Sequence, residues 1–112
     1  MSLRPGSLVT VAFPFTDLSA VKRRPALVLV TAGEDLVLCG VTSRRSGRRN
    51  AVSLGLDDMA EGRLPRASEV RPRKLFTIHR SLVHRVVGGV RDKTLAEVVG
   101  LLVDALHAGT SR

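Results

Sequence analysis

Residues 25 to 42 read PALVLVTAGEDLVLCGVT. Two runs rich in Val, Leu and Ala flank the group Ala32-Gly33-Glu34-Asp35. Branched and aliphatic residues bounded by glycine and acidic turn formers mark a strand, a tight turn and a second strand. The stretch therefore predicts a β-hairpin, Pro25 to Thr31 against Leu36 to Thr42. Working outward, Ser7 to Phe13 follows Pro5-Gly6 and carries the same Val and Leu content, which predicts a strand before the hairpin. Beyond the hairpin, Arg44 to Arg49 is too charged and too glycine-containing for a strand and reads as a loop. Asn50 to Leu54 predicts a short strand, and Asp57 to Arg66, with Pro65 near its end, a linker. Ser68 to Phe76 predicts a further strand in which Pro72 requires an edge or a bulge. Thr77 to Arg85 has no clear period, and Val86 to Val90 predicts a last short strand.

The C-terminal segment changes period. Leu95, Val98, Val99, Leu102, Ala105 and Leu106 recur at helical spacing, with Asp92 as the N-cap and Gly109 as the stop. Short strands, tight turns and one terminal helix define a mainly β class. An SH3-like small antiparallel barrel with a C-terminal helix fits the element count; an OB-fold barrel and an open α+β sheet are the alternatives. At 112 residues the chain reads as one domain, 1–112. With three Phe, no Tyr and no Trp, its core must be aliphatic.

The net charge is +8, and fifteen of the eighteen cations are arginine. Arginine presents a planar fork that grips phosphate through two hydrogen bonds, whereas lysine is a point charge. The balance points to a polyanionic partner. The cations fall in groups: Lys22-Arg23-Arg24, then Arg44, Arg45, Arg48 and Arg49 around Ser46-Gly47, then Arg71 and Arg73. Stacking platforms for bases are scarce, with only Phe15 and Phe76 available, so electrostatics must dominate any single-strand binding. The one cysteine, Cys39, cannot form an internal disulfide and sits in an apolar run. It reads as a small core residue of a protein in a reducing, cytoplasmic setting. No signal peptide or membrane span is apparent. No His/Cys spacing suits a metal, no cofactor motif is present, and no nucleophile elbow marks a serine or cysteine hydrolase.

RPGSLVTVAFPFTDLSAVKRRPALVL (from Arg4), GVTSRR (from Gly40) and SEVRPRKLFTIHRSLVHRVVGGVRDKTLAEVVGLL (from Ser68) occur in order along nearly the whole chain. This series resembles the MazF/PemK family of type II toxins. The resemblance implies an SH3-like barrel, a homodimer, metal-free cleavage of single-stranded RNA, and inhibition by an acidic antitoxin (MazE/PemI-like) lying across the RNA site. It implies catalytic roles for Arg24, before the proline that opens the second strand, and for Thr42 of the Thr42-Ser43 pair. Arg71 of Val70-Arg71 matches a functional arginine of PemK-like members. Those members often carry Asp two residues later, where this chain has Arg73. The departure weakens any acid–base scheme built on that carboxylate, or moves its role to Asp17. The expected RNA-binding set is Phe15, Asp17, Lys22, Arg23, Ser43, Arg44, Arg45, Arg48, Arg49, Arg71 and Arg73. The alternatives are a topoisomerase inhibitor of the CcdB kind, which shares the fold, and a basic SH3-like module that holds nucleic acid without cutting it.

Overall fold

The structure is a computed structural model and describes residues 3–14, 21–44, 50–64 and 66–110. Among the described residues, seven strands form one antiparallel sheet: β1 (Ser7–Pro14), β2 (Val21–Ala32), β3 (Asp35–Thr42), β4 (Val52–Leu54), β5 (Met59–Gly62), β6 (Ser68–His79) and β7 (Val83–Val90). Their order across the sheet is β4-β6-β3-β2-β1-β7-β5. The sheet curls into a half-barrel, and one helix, α1 (Asp92–Thr110), follows it. The expected barrel class with a terminal helix is what the chain adopts. Among the described residues, no helix is long and apolar enough to cross a membrane.

Period-two alternation gives the sheet two buried faces. Leu8, Leu27, Cys39, Val41 and Val70 face one way, where Leu95, Val98, Leu101 and Leu102 of α1 pack against them. Val9, Val11, Val28, Leu36 and Leu38 face the other way, joined by Phe76 and Ile78. The expected aliphatic core is thus divided between two sides of one sheet. Phe76, partly buried, packs against the second cluster.

The β2–β3 hairpin closes through Ala32 opposite Asp35, with Gly33 at φ +60° in the turn. That backbone region favours glycine. Pro72 falls in a bulge, as its missing N–H requires. Cys39 pairs with Leu75 but Gly40 pairs with Arg71, so Pro72, Arg73 and Lys74 are looped out of the ladder.

Four boundaries differ from the sequence reading. β2 begins at Val21, because β1 runs on to Pro14 and supplies ladder partners for residues 21–24. The cationic triplet therefore lies inside a strand and not at its mouth. The expected linker 57–66 contains β5, which pairs with β7. That pairing depends on close backbone approach: a Cβ on Gly62 (φ +74°) would lie 2.2 Å from the Val87 carbonyl oxygen, and one on Gly88 2.5 Å from that of Glu61. The segment 77–85 resolves into the end of β6, a 3-10 turn at Arg80–Leu82 and the start of β7. Finally, α1 starts within a residue of expectation but continues through Gly109 to Thr110, whose hydroxyl donates to the His107 carbonyl at 2.9 Å. Gly109 keeps a helical backbone there and stops nothing.

Asp58 fastens the start of α1 to the sheet. Its carboxylate accepts from Gly55 N–H at 2.7 Å and from the Thr94 hydroxyl at 3.0 Å, and its carbonyl accepts from Arg91 N–H at 2.8 Å.

Candidate nucleic-acid interface

A cleft of about 840 Å³ opens where β1, β2, β3, β6 and β7 converge. Arg23, Arg24 and Pro25 of β2 line it beside Thr42, Ser43 and Arg44 at the end of β3. Arg66, Ser68 and Arg71 come from the start of β6 and the residues just before it, and Thr10 and Arg85 from β1 and β7. Among the described residues, six arginines and four hydroxyls thus share one open cavity, and no Asp or Glu lines it. Like charges converging this way give a strongly positive local potential.

The ladder explains why the two residues singled out first meet here. β2 and β3 pair up to Ala26 opposite Gly40. Arg24 and Thr42 each lie two residues past that pair, at the same end of the hairpin. Arg24 is exposed, and the Pro25 ring keeps its backbone extended. The Thr42 hydroxyl accepts from Arg44 N–H at 3.1 Å, a local turn typical of threonine. With one lone pair so occupied, its own proton remains to be donated.

Arg71 donates from Nε to Glu69 Oε2 at 3.1 Å and from Nη2 to the Arg44 carbonyl at 3.3 Å. Glu69 is 4% exposed and does not line the cleft. Arg73 is exposed on the β6 bulge and lies outside the lining set. Lys22 sits in β2 opposite Phe13. Phe15, Asp17, Arg45, Arg48 and Arg49 fall outside the described residues.

The sequence reading missed Thr10, Arg66, Arg85 and Glu69. Extending the last strand back to Val83 would have found Arg85, which pairs with Thr10 across β1–β7. Of the histidines, His84 Nδ1 lies 3.3 Å from the Thr10 hydroxyl, at the border of the cleft. His79 bonds Ser81 and stands 3.6 Å from Glu34, away from it. No group of three or more His, Cys, Asp and Glu suits a metal ion among the described residues.

Comparison with known proteins gives the family and the fold. The model of the family of PemK-like, MazF-like toxins of type II toxin–antitoxin systems matches residues 4–106. The chain is similar to the solved MazE-MazF of Deinococcus radiodurans, with 26% identity and TM-score 0.77 over 92% of this chain and 94% of that one. It is similar to MazF of the same organism, with 29% identity and TM-score 0.71 over 91% and 94%. An endoribonuclease in complex with its cognate antitoxin from a mycobacterial species shares the fold, at 19% identity and TM-score 0.73 over 95% and 96%. No curated protein matches the chain in sequence.

Proposed function

The chain belongs to the PemK-like, MazF-like toxins of type II toxin–antitoxin systems, and from that premise we propose that it is an endoribonuclease that cuts single-stranded RNA without a metal. The observation that carries this is the convergence of Arg24 and Thr42 in a cleft lined, among the described residues, by six arginines.

In the proposed reaction the ribose 2′-OH attacks the adjacent phosphorus. The O2′–P bond forms and the P–O5′ bond breaks, leaving a 2′,3′-cyclic phosphate and a 5′-OH. One proton leaves the 2′-OH and one reaches O5′. The protein must hold the attack in line and stabilise charge growing on the non-bridging oxygens. Arg24 supplies a fork for that charge. Thr42, with one lone pair taken by Arg44 N–H, donates a hydrogen bond to a non-bridging oxygen. Arg71 holds the neighbouring phosphate, and Arg23, Arg44, Arg66 and Arg85 neutralise the strand on either side.

An acidic antitoxin segment fills the same cleft and competes with RNA. The protein acts in the cytoplasm as a homodimer, for which Val99, Val103 and Leu106, exposed along α1, give a second copy apolar surface to cover.

The test is incubation with long single-stranded RNA in EDTA, followed by analysis of the new ends. Fragments ending in 2′,3′-cyclic phosphate and 5′-OH are expected. A gel shift with no fragments would replace the enzyme with a binding module.

A further inference from the structure

Behind the arginines lies a nearly buried carboxylate. Glu69 is 4% exposed, and burial at that level is costly for a carboxylate unless it is paired and hydrogen-bonded. Arg71, two residues along β6, meets it through Nε at 3.1 Å. The same guanidinium donates through Nη2 to the Arg44 carbonyl at 3.3 Å. Arg44 N–H in turn donates to Thr42 Oγ1 at 3.1 Å. A continuous series of bonds therefore runs from the buried carboxylate to the Thr42 hydroxyl. Held at two points, the guanidinium has a fixed plane, and three of its five N–H groups remain for an anion.

We propose that Glu69 is a positioning residue: through Arg71 and the Arg44 main chain it sets the arginine fork and the Thr42 hydroxyl in the arrangement that receives a phosphodiester. The proposal rests on the ribonuclease reading above. Glu69 does not line the cleft, so it works on the substrate through Arg71. Its oxygen acts as an acceptor, and no proton moves.

Glu69→Gln keeps an acceptor for Nε–H, whereas Glu69→Ala removes it. Turnover of Glu69→Gln should stay within about threefold of wild type, with the acidic limb of its pH–rate profile unmoved. Glu69→Ala should lose about 10- to 100-fold in kcat with a smaller change in KM, and should add nothing to Arg71→Ala. In 15N NMR spectra, the Arg71 Nε–H signal should be protected from exchange in wild type and Glu69→Gln but not in Glu69→Ala. Equal damage by Gln and Ala, with the acidic limb gone, would show that the carboxylate moves a proton and overturn the proposal. Wild-type turnover in Glu69→Ala would overturn it as well. Should that variant not fold, Arg71→Lys serves, since lysine cannot span both acceptors; undiminished kcat there overturns the proposal. If wild-type protein cuts no RNA, the ribonuclease reading falls. The wild-type Nε–H signal then decides alone, and its absence overturns the positioning role.

Discussion

Thr42 and Glu69 stand opposite each other across the β3–β6 ladder, one lining the arginine cleft and the other almost wholly buried. Directly opposed residues of an antiparallel pair share a face of the sheet. The Thr42 hydroxyl and the Glu69 carboxylate are thus brought together by register, across 27 residues of chain (42 to 69).

Thr42→Val should lower kcat by about 100-fold, the usual loss for one preorganised donor to a charged transition state. Thr42→Ser, which keeps the hydroxyl, should retain most of the rate. The melting temperature of Thr42→Val should fall only slightly, because the missing bond to Arg44 N–H is worth about 1 kcal/mol. Rates and melting curves measured side by side separate the two effects. A large fall in melting temperature would make the hydroxyl structural.

Arg24→Ala should reduce cleavage by about 100- to 1000-fold. The side chain is exposed on β2, so the fold should survive, with an unchanged circular dichroism spectrum. Arg24→Lys should rescue poorly, since a point charge cannot replace the fork. Single-turnover rates at saturating RNA check this, and near wild-type rates in Arg24→Ala would remove the catalytic assignment.

Arg66 and Arg85 also line the cleft and are distant in sequence from Arg24 and Thr42. Replacing both with alanine should weaken binding of a non-cleavable RNA and reduce the log–log salt slope by about 0.7 for each phosphate no longer neutralised. Fluorescence anisotropy across a salt series measures it. An unchanged slope would place the RNA backbone elsewhere.

Burial pushes the Cys39 thiol up from 9.0 to about 12. The folded protein holds this proton more tightly than the unfolded chain does. Its stabilising contribution is therefore full below pH 9 and is lost as pH rises from 9.0 towards about 12. A thiol reagent should leave Cys39 unmodified in native buffer near pH 8 and react fully in guanidinium. Rapid modification of the folded protein would show that this part of the core opens readily.

The hairpin from Pro25 to Thr42 and the periodic face of α1 were legible because local composition specifies them. Strong alternation with a turn, or repeats at 3–4 residues, needs no distant partner. Arg24 and Thr42 were legible through the family resemblance, and the hairpin register explains why they meet. Met59 to Gly62 was not legible. Four residues carry no period, and the strand exists because Gly62 and Gly88 let two backbones approach. The start of β2 was misplaced because a run of cations discourages a strand, yet the β1 ladder holds it. Glu69 could not be recognised as a support for Arg71, since its role depends on burial and on a register that composition does not reveal.

The link between Arg71 and Thr42 uses only the N–H and carbonyl of residue 44. The side chain at that position is thereby released from structural duty. On the ribonuclease reading proposed above, exchanging Arg44 for another residue should alter which RNA the lip of the cleft prefers while Thr42 and Arg71 keep their places. Proline alone lacks the N–H and would cut the link. On that reading, position 44 is a point where substrate preference can be redesigned without disturbing the groups proposed to do the chemistry.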